Sequence, residues 1–130
     1  MWGKPQEWEG VQYFKPWEFK CSHCGVERMQ WKFVKRLDHL RDYLKHPMVI
    51  TSGYRCPWHN ANVSHTHSVD GPHVQGLAAD IKISGEEAHR LVWAAMTMGF
   101  TGIGVQQKGI WADRFIHLDM VPGPLRLWSY

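Results

Sequence analysis

Two histidines and an aspartate stand along this chain in an order that suits one metal ion. His73 lies in Pro-His-Val-Gln-Gly, Asp80 closes Gly-Leu-Ala-Ala-Asp, and His117 sits in Phe-Ile-His-Leu-Asp. Two imidazoles and one carboxylate are the ligand set of a zinc that keeps its fourth position open for water, whereas a structural zinc normally closes all four positions with protein ligands. The chemistry this set predicts is hydrolysis. A single histidine is more often a surface or core residue, and the chain has nine; the combination with Asp80 is what selects these two. Strand alternation sends Phe115, His117 and Asp119 to one face and Ile116 and Leu118 to the other, so a second carboxylate shares a surface with His117.

The elements that must position these groups are readable in outline. From Met29 to Lys45 the apolar residues recur three and four apart, which predicts an amphipathic helix stopped by Pro47. Residues 48–51 read as a short strand ending at Gly53. Between Cys56 and Pro72 the sequence is polar turn chemistry without a helical or strand period, and reads as a functional loop. Leu77 to Ile83 predicts a strand carrying Asp80. A helix from about Gly85 to Met98 follows, with Ser84 and Glu87 as a capping box and Gly99 as its C-terminal stop. Residues 100–106 and 114–119 read as two more strands, and the tail from Pro122 to Trp128 is too rich in proline for a helix or a central strand. Residues 1–19, rich in aromatics and proline, read as an N-terminal arm laid over the core.

Length and composition bound the rest. A chain of 130 residues is the size of one domain, here taken as residues 1–130. Its hydrophobic fraction of 44%, with eight tryptophans, is that of a folded globular protein and excludes global disorder. The net charge of +3 comes from basic residues dispersed among acidic ones, which gives no argument for nucleic acid as a partner. No segment has the length of about 20 apolar residues that membrane insertion needs, and the start lacks the apolar stretch of a secretory signal. The expectation is a product that is cytoplasmic as synthesised; the oligomeric state is not legible.

Three cysteines cannot all pair within one chain. Cys21-x-x-Cys24 followed by Cys56-x-x-His59 has the spacing of two ligand knuckles of a second, structural zinc, although the gap between the pairs is long. A redox or disulfide role for Cys21 and Cys24, and plain buried thiols, are the alternatives.

The run Thr51-Ser52-Gly53-Tyr54-Arg55-Cys56-Pro57, then Asn60, His73-x-x-Gly76-x-Ala78-x-Asp80-Ile81, Gly102-Ile103-Gly104 and Phe115-Ile116-His117-Leu118-Asp119 resembles the M15 family of zinc D-Ala-D-Ala carboxypeptidases and peptidoglycan endopeptidases. The likeness spans roughly residues 12 to 130. It implies an α+β, hedgehog-like fold with a central antiparallel sheet flanked by helices, and a Zn2+ held by His73, Asp80 and His117. It also implies cleavage of an amide bond in peptidoglycan stem peptides or cross-links. Small members without a signal sequence are frequently phage endolysins, which reach the cell wall when a holin opens the membrane. Arg55 matches the family's arginine that steadies the oxygen of the tetrahedral intermediate; a structural salt bridge is the bland alternative.

The proton carrier departs from the pattern. Many relatives place an acid three residues before the last zinc histidine, where this chain has Arg114. Asp119 is then the favoured base and Asp113 the alternative, while Asp119 has a second possible role in orienting a zinc histidine. The open base position keeps alive another reading, a non-catalytic, zinc-containing wall-binding or virion-associated module. His65 and His67 read as cleft or solvent residues, and Trp58, Trp111 and Trp128 as either groove lining or packing.

Overall fold

The computed structural model describes residues 8–64 and 70–130. Among the described residues, α-helices α1 (Trp31–Leu44), α2 (Pro57–Val63) and α3 (Gly85–Thr97) accompany the strands β1 (Val49–Ser52), β2 (Ala78–Lys82), β3 (Gly102–Gln106), β4 (Phe115–Asp119) and β5 (Arg126–Ser129). The fold is α+β. The strands form one sheet in the order β1-β2-β4-β3-β5. Its first three pairings are antiparallel, but β5 runs parallel to β3, so the sheet is mixed and not antiparallel throughout. The prolines of the tail precede β5, which occupies an edge where no further partner is required.

One face of the sheet belongs to the core. Ile81, Ile103, Ile116 and Leu118 point there and join Phe33, Val34, Leu37 and Leu40 from α1 and Ala88, Leu91, Ala94 and Ala95 from α3. Each fully buried Leu, Ile or Phe in this set stabilises the fold by roughly 1.5–3 kcal/mol relative to exposure. The helix expected over 29–45 runs from Trp31 to Leu44 and ends at Lys45 in the left-handed conformation.

Two expectations need correction, and one is refined. Of the segment read as an N-terminal arm, the described residues Phe14 and Phe19 lie in the core. Their segment is tied down by the buried Asp38 of α1, which accepts from the amides of Gln12 and Tyr13 at 3.0 and 2.9 Å. The stretch after Cys56 is not all loop, because Pro57 sits at the first turn of α2, where a missing N–H costs nothing. Seven residues are too few to show a helical period. Ser84 precedes α3 as expected but makes no side-chain cap hydrogen bond.

Two close approaches bring the chain to the site. Gly53 lies against the backbone of Phe19, where a Cβ would fall 2.6 Å from its Cα. Gly76, at φ +72°, lies against Arg28, where a Cβ would fall 2.2 Å from the carbonyl oxygen. The amide of Gln30 donates to the Gly76 carbonyl at 2.9 Å, which locks the turn that carries His73 onto the start of α1.

Candidate metal centre

The strand register assembles the site on the face of the sheet away from the core helices. Asp80 of β2 pairs with His117 of β4, His117 with Gly104 of β3, and Gly104 with Trp128 of β5. The neighbouring row holds Ala78, Asp119, Gly102 and Arg126. The two glycines leave β3 bare on this face, so side chains of β5 reach across it to β4. The Trp128 ring lies 5.0 Å from that of His117, and Arg126 meets the Asp119 carboxylate.

His73 comes from the turn before β2, held by bonds from Gln75 N to Gly71 O and from Leu77 N to Pro72 O. Its Nδ1 is 2.7 Å from the Gly53 carbonyl, so it donates there and leaves Nε2 for the site. That Nε2 is 3.4 Å from Asp80 Oδ1, and His117 Nδ1 is 3.0 Å from the same oxygen. The second nitrogen of His117, Nε2, is 2.8 Å from Asp119 Oδ2. Each ring is thereby fixed through one nitrogen and offers the other to a common point. The three donor atoms lie within 4.8 Å of one another, and all three residues are buried.

The donor spacing fits zinc. Tetrahedral zinc with bonds of about 2.0–2.1 Å holds its nitrogen and oxygen donors about 3.3 Å apart. The observed 3.0 and 3.4 Å bracket that value.

The charges interlock. Burial alone would raise the Asp80 pKa, but the His73 and His117 imidazoles hold it well below the usual carboxylate range. Burial lowers the His73 pKa. At His117 burial acts the same way but is outweighed by hydrogen bonds to Asp119 and Asp80, so its pKa is raised. Without a metal, the proton in the site therefore belongs on His117. Arg55 completes the surround: Nη2 is 3.3 Å from Asp80 Oδ2, Nη1 3.2 Å from Asn60 Oδ1, and Nε 3.1 Å from Ser52 Oγ.

These groups open onto a cavity of about 730 Å³ that Arg55, His73, Asp80, His117, Trp128 and Tyr130 line together with Asn60 and Asp70. A family comparison adds the decisive observation: the model of the peptidase M15 family matches residues 12–119. The chain belongs to the M15 peptidase family. It is a hydrolase by that membership, and the chemistry of M15 peptidases depends on a metal, generally zinc. A search of curated proteins finds no match for the chain. The M15 match ends at Asp119, so Arg126 and Trp128 reach the cavity from beyond it.

The expected proton carriers are placed differently from one another and from the cavity. Asp119 is fully buried, with Oδ2 on His117 and Oδ1 on Arg126 and the Val121 amide, and its carboxylate is absent from the cavity wall. Asp113 is exposed in the one-turn helix Trp111–Asp113, also away from the wall. Arg114 bonds the Gly109 carbonyl and lies over Trp111. Of the three tryptophans weighed as groove residues only Trp128 lines this cavity; Trp58 stacks on His23. His65 and His67 lie outside the described residues.

Sequence reasoning missed Asp70, Arg126, Trp128's ring contact and Tyr130. Asp70 carried a signal, since it stands three residues before His73 in turn chemistry. The others depend on strand register, which no local pattern shows. Cys21, Cys24 and Cys56 gather 4.8 Å or less apart, whereas His59 sits with Nε2 3.3 Å from Ser22 Oγ and is not in that group.

Proposed function

We propose that this M15 peptidase is a zinc-dependent enzyme that cleaves an amide bond in peptidoglycan stem peptides or cross-links. The observation that carries the reading is the convergence of His73 Nε2, Asp80 Oδ1 and His117 Nδ1 at zinc spacing on the wall of an open cavity. These three residues hold the metal. Bound there, zinc supplies Lewis acidity, polarising a carbonyl and making a water acidic near pH 7. The chain's own groups do the rest. Arg55 presents a guanidinium at the cavity wall beside Asp80, where it meets the negative charge that develops on the scissile carbonyl oxygen. Trp128 screens His117 from solvent, and Tyr130 remains a neutral phenol because burial raises its pKa.

Asp119 takes the orienting role, not that of the base. A carboxylate that holds the far nitrogen of a metal-binding histidine fixes its ring and tautomer, and losing it typically costs 10–100-fold in metal affinity or activity, as an order of magnitude. Asp119→Asn should therefore weaken zinc binding by about 10–100-fold and regain most of its turnover when zinc is saturating. Persistent loss of turnover at full zinc occupancy would return Asp119 to the base role.

Asp70, whose Oδ1 accepts from the Gly71 amide at 2.8 Å, is the only acidic residue besides Asp80 that lines the cavity among the described residues, and we assign it the proton of the attacking water. Asp70→Asn should keep full zinc content and lose about 10²–10⁴-fold in turnover, the usual scale of general base catalysis. Unchanged turnover would remove it.

The proposal as a whole is tested by zymography on purified cell wall with and without a chelator. Chelator-sensitive clearing is expected; wall binding without clearing would support the non-catalytic module instead. Mass spectrometry of products from defined muropeptides tells carboxypeptidase from endopeptidase action. By resemblance we place the enzyme as an endolysin that reaches the wall from the cytoplasm through a membrane pore. Lysis only on co-expression with a pore former is the expected result. Among the described residues, no helix is long and apolar enough to cross a membrane.

A further inference from the structure

A second cluster of metal-binding side chains lies outside the cavity. Residues 20–26 fold into a tight turn in which the Gly25 amide donates to the Cys21 carbonyl at 2.8 Å and the Cys21 amide donates to the Val26 carbonyl at 2.7 Å. Gly25 takes φ +78°, a conformation glycine adopts without steric cost, directly after Cys24. The turn aims both sulfurs of Cys21-x-x-Cys24 to one side. Cys56, which precedes α2, comes to the same point from 35 positions along the chain, and its amide donates to Cys21 Sγ at 3.4 Å. The three sulfurs lie within 4.8 Å of one another, and all three thiols are free. Tetrahedral zinc with Zn–S bonds of about 2.3 Å spaces its sulfurs about 3.8 Å apart. One imidazole reaches one of the sulfurs: His23 Nδ1 is 3.5 Å from Cys56 Sγ, against about 3.6 Å for a nitrogen and a sulfur on one tetrahedral zinc, while His23, like His59, stands outside the group of three that lie within 4.8 Å of one another.

We infer that Cys21, Cys24 and Cys56 hold a second, structural zinc, with the His23 imidazole turning in from beside Cys56 to close its fourth position. The spacing Cys56-x-x-His59 suggested His59 for that place, but its ring stacks parallel to His23 and bonds Ser22. Thiolates bind zinc in place of their protons, so each sulfur loses one proton as the ion enters. The site has a structural purpose. It fastens the turn after Phe19 to the start of α2, and thereby flanks Arg55 and Asn60 at the mouth of the cavity.

The test is metal analysis of the full chain purified without chelator. Two zinc ions per chain are expected in the wild type and one in Cys24→Ser, which keeps the His73 site. His73→Ala should also retain one. Cobalt loading of His73→Ala should give the intense near-ultraviolet thiolate-to-cobalt band, and Cys24→Ser loaded the same way should lack it. His23→Ala should bind the second zinc more weakly, and His59→Ala should bind it normally; the reverse would overturn the assignment of the fourth ligand. A wild type with one zinc that His73→Ala loses completely, or an intact mass showing an oxidised cysteine pair in the zinc-loaded protein, would overturn the site. Because the two sites are emptied by different substitutions, failure of this inference leaves the catalytic reading untouched.

Discussion

Asp80→Asn should abolish hydrolysis. Its Oδ1 is the atom that His73 and His117 both approach, and its Oδ2 holds Arg55, so one substitution would remove the anionic ligand of the proposed zinc and the guanidinium's anchor together. A Lewis acid worth several kcal/mol corresponds to a loss of about 10³-fold or more in rate. Because Asp80 is buried, the variant is paired with chelated wild type, in which added zinc should restore the activity that chelation removes. Activity that survives complete zinc removal would sink the metal mechanism.

The same geometry gives the metal-free protein a defined pH response. With its folded pKa raised above the ordinary value of about 6.5, a protonated His117 contributes stability that is fully present below about pH 6.5 and is lost as pH rises through the raised value. A zinc held by His73, Asp80 and His117 would take the place of that proton. The chelated protein should therefore melt at lower temperature as pH is raised through this window, while the zinc-loaded protein should not follow it. Zinc affinity should in turn weaken as pH falls, because proton and metal compete for the same nitrogen. Thermal melts of both forms across about pH 6 to 9 decide the matter.

Arg55 carries the second large effect. Arg55→Ala should lower kcat by about 10²–10³-fold, the scale for loss of one oxyanion donor. Arg55→Lys should recover little, since the guanidinium's three nitrogens engage Asp80, Asn60 and Ser52 at once and a point charge cannot reproduce that fork. Misplacement of Asp80 is the competing explanation, and occupancy separates the two. If Arg55 acts only by holding Asp80, saturating zinc should rescue Arg55→Ala; if it meets developing charge, the loss of kcat should persist with the site full.

That His73, Asp80 and His117 belong together was legible because their chemistry is local, and the fold brings their donor atoms within 4.8 Å of one another. Period-two alternation put His117 and Asp119 on one face of β4, where the structure has them in contact. Alternation could not say how deeply each side chain is buried. Asp119 shares a face with His117, which is what pointed to it as a base; Arg126, arriving from β5, takes one of its oxygens, which is the contact behind the orienting role proposed above. The helix α2 escaped because seven residues show no period, although Cys56-Pro57 carried its start signal. The parallel pairing of β5 escaped because Pro122 and Pro124 argue against a strand just where one is about to begin.

Gly102 and Gly104 offer no reactive atom, yet the site occupies the space they leave. A Cβ at Gly102 would fall 2.3 Å from an oxygen of Asp119, and one at Gly104 would fall 2.7 Å from the Trp128 indole. In a saturation library selected for lysis, these two positions should be as intolerant as the ligands themselves, with alanine already excluded. A site grafted onto another sheet would fail unless it brought along an empty strand: what must be inherited with the histidines is a vacancy.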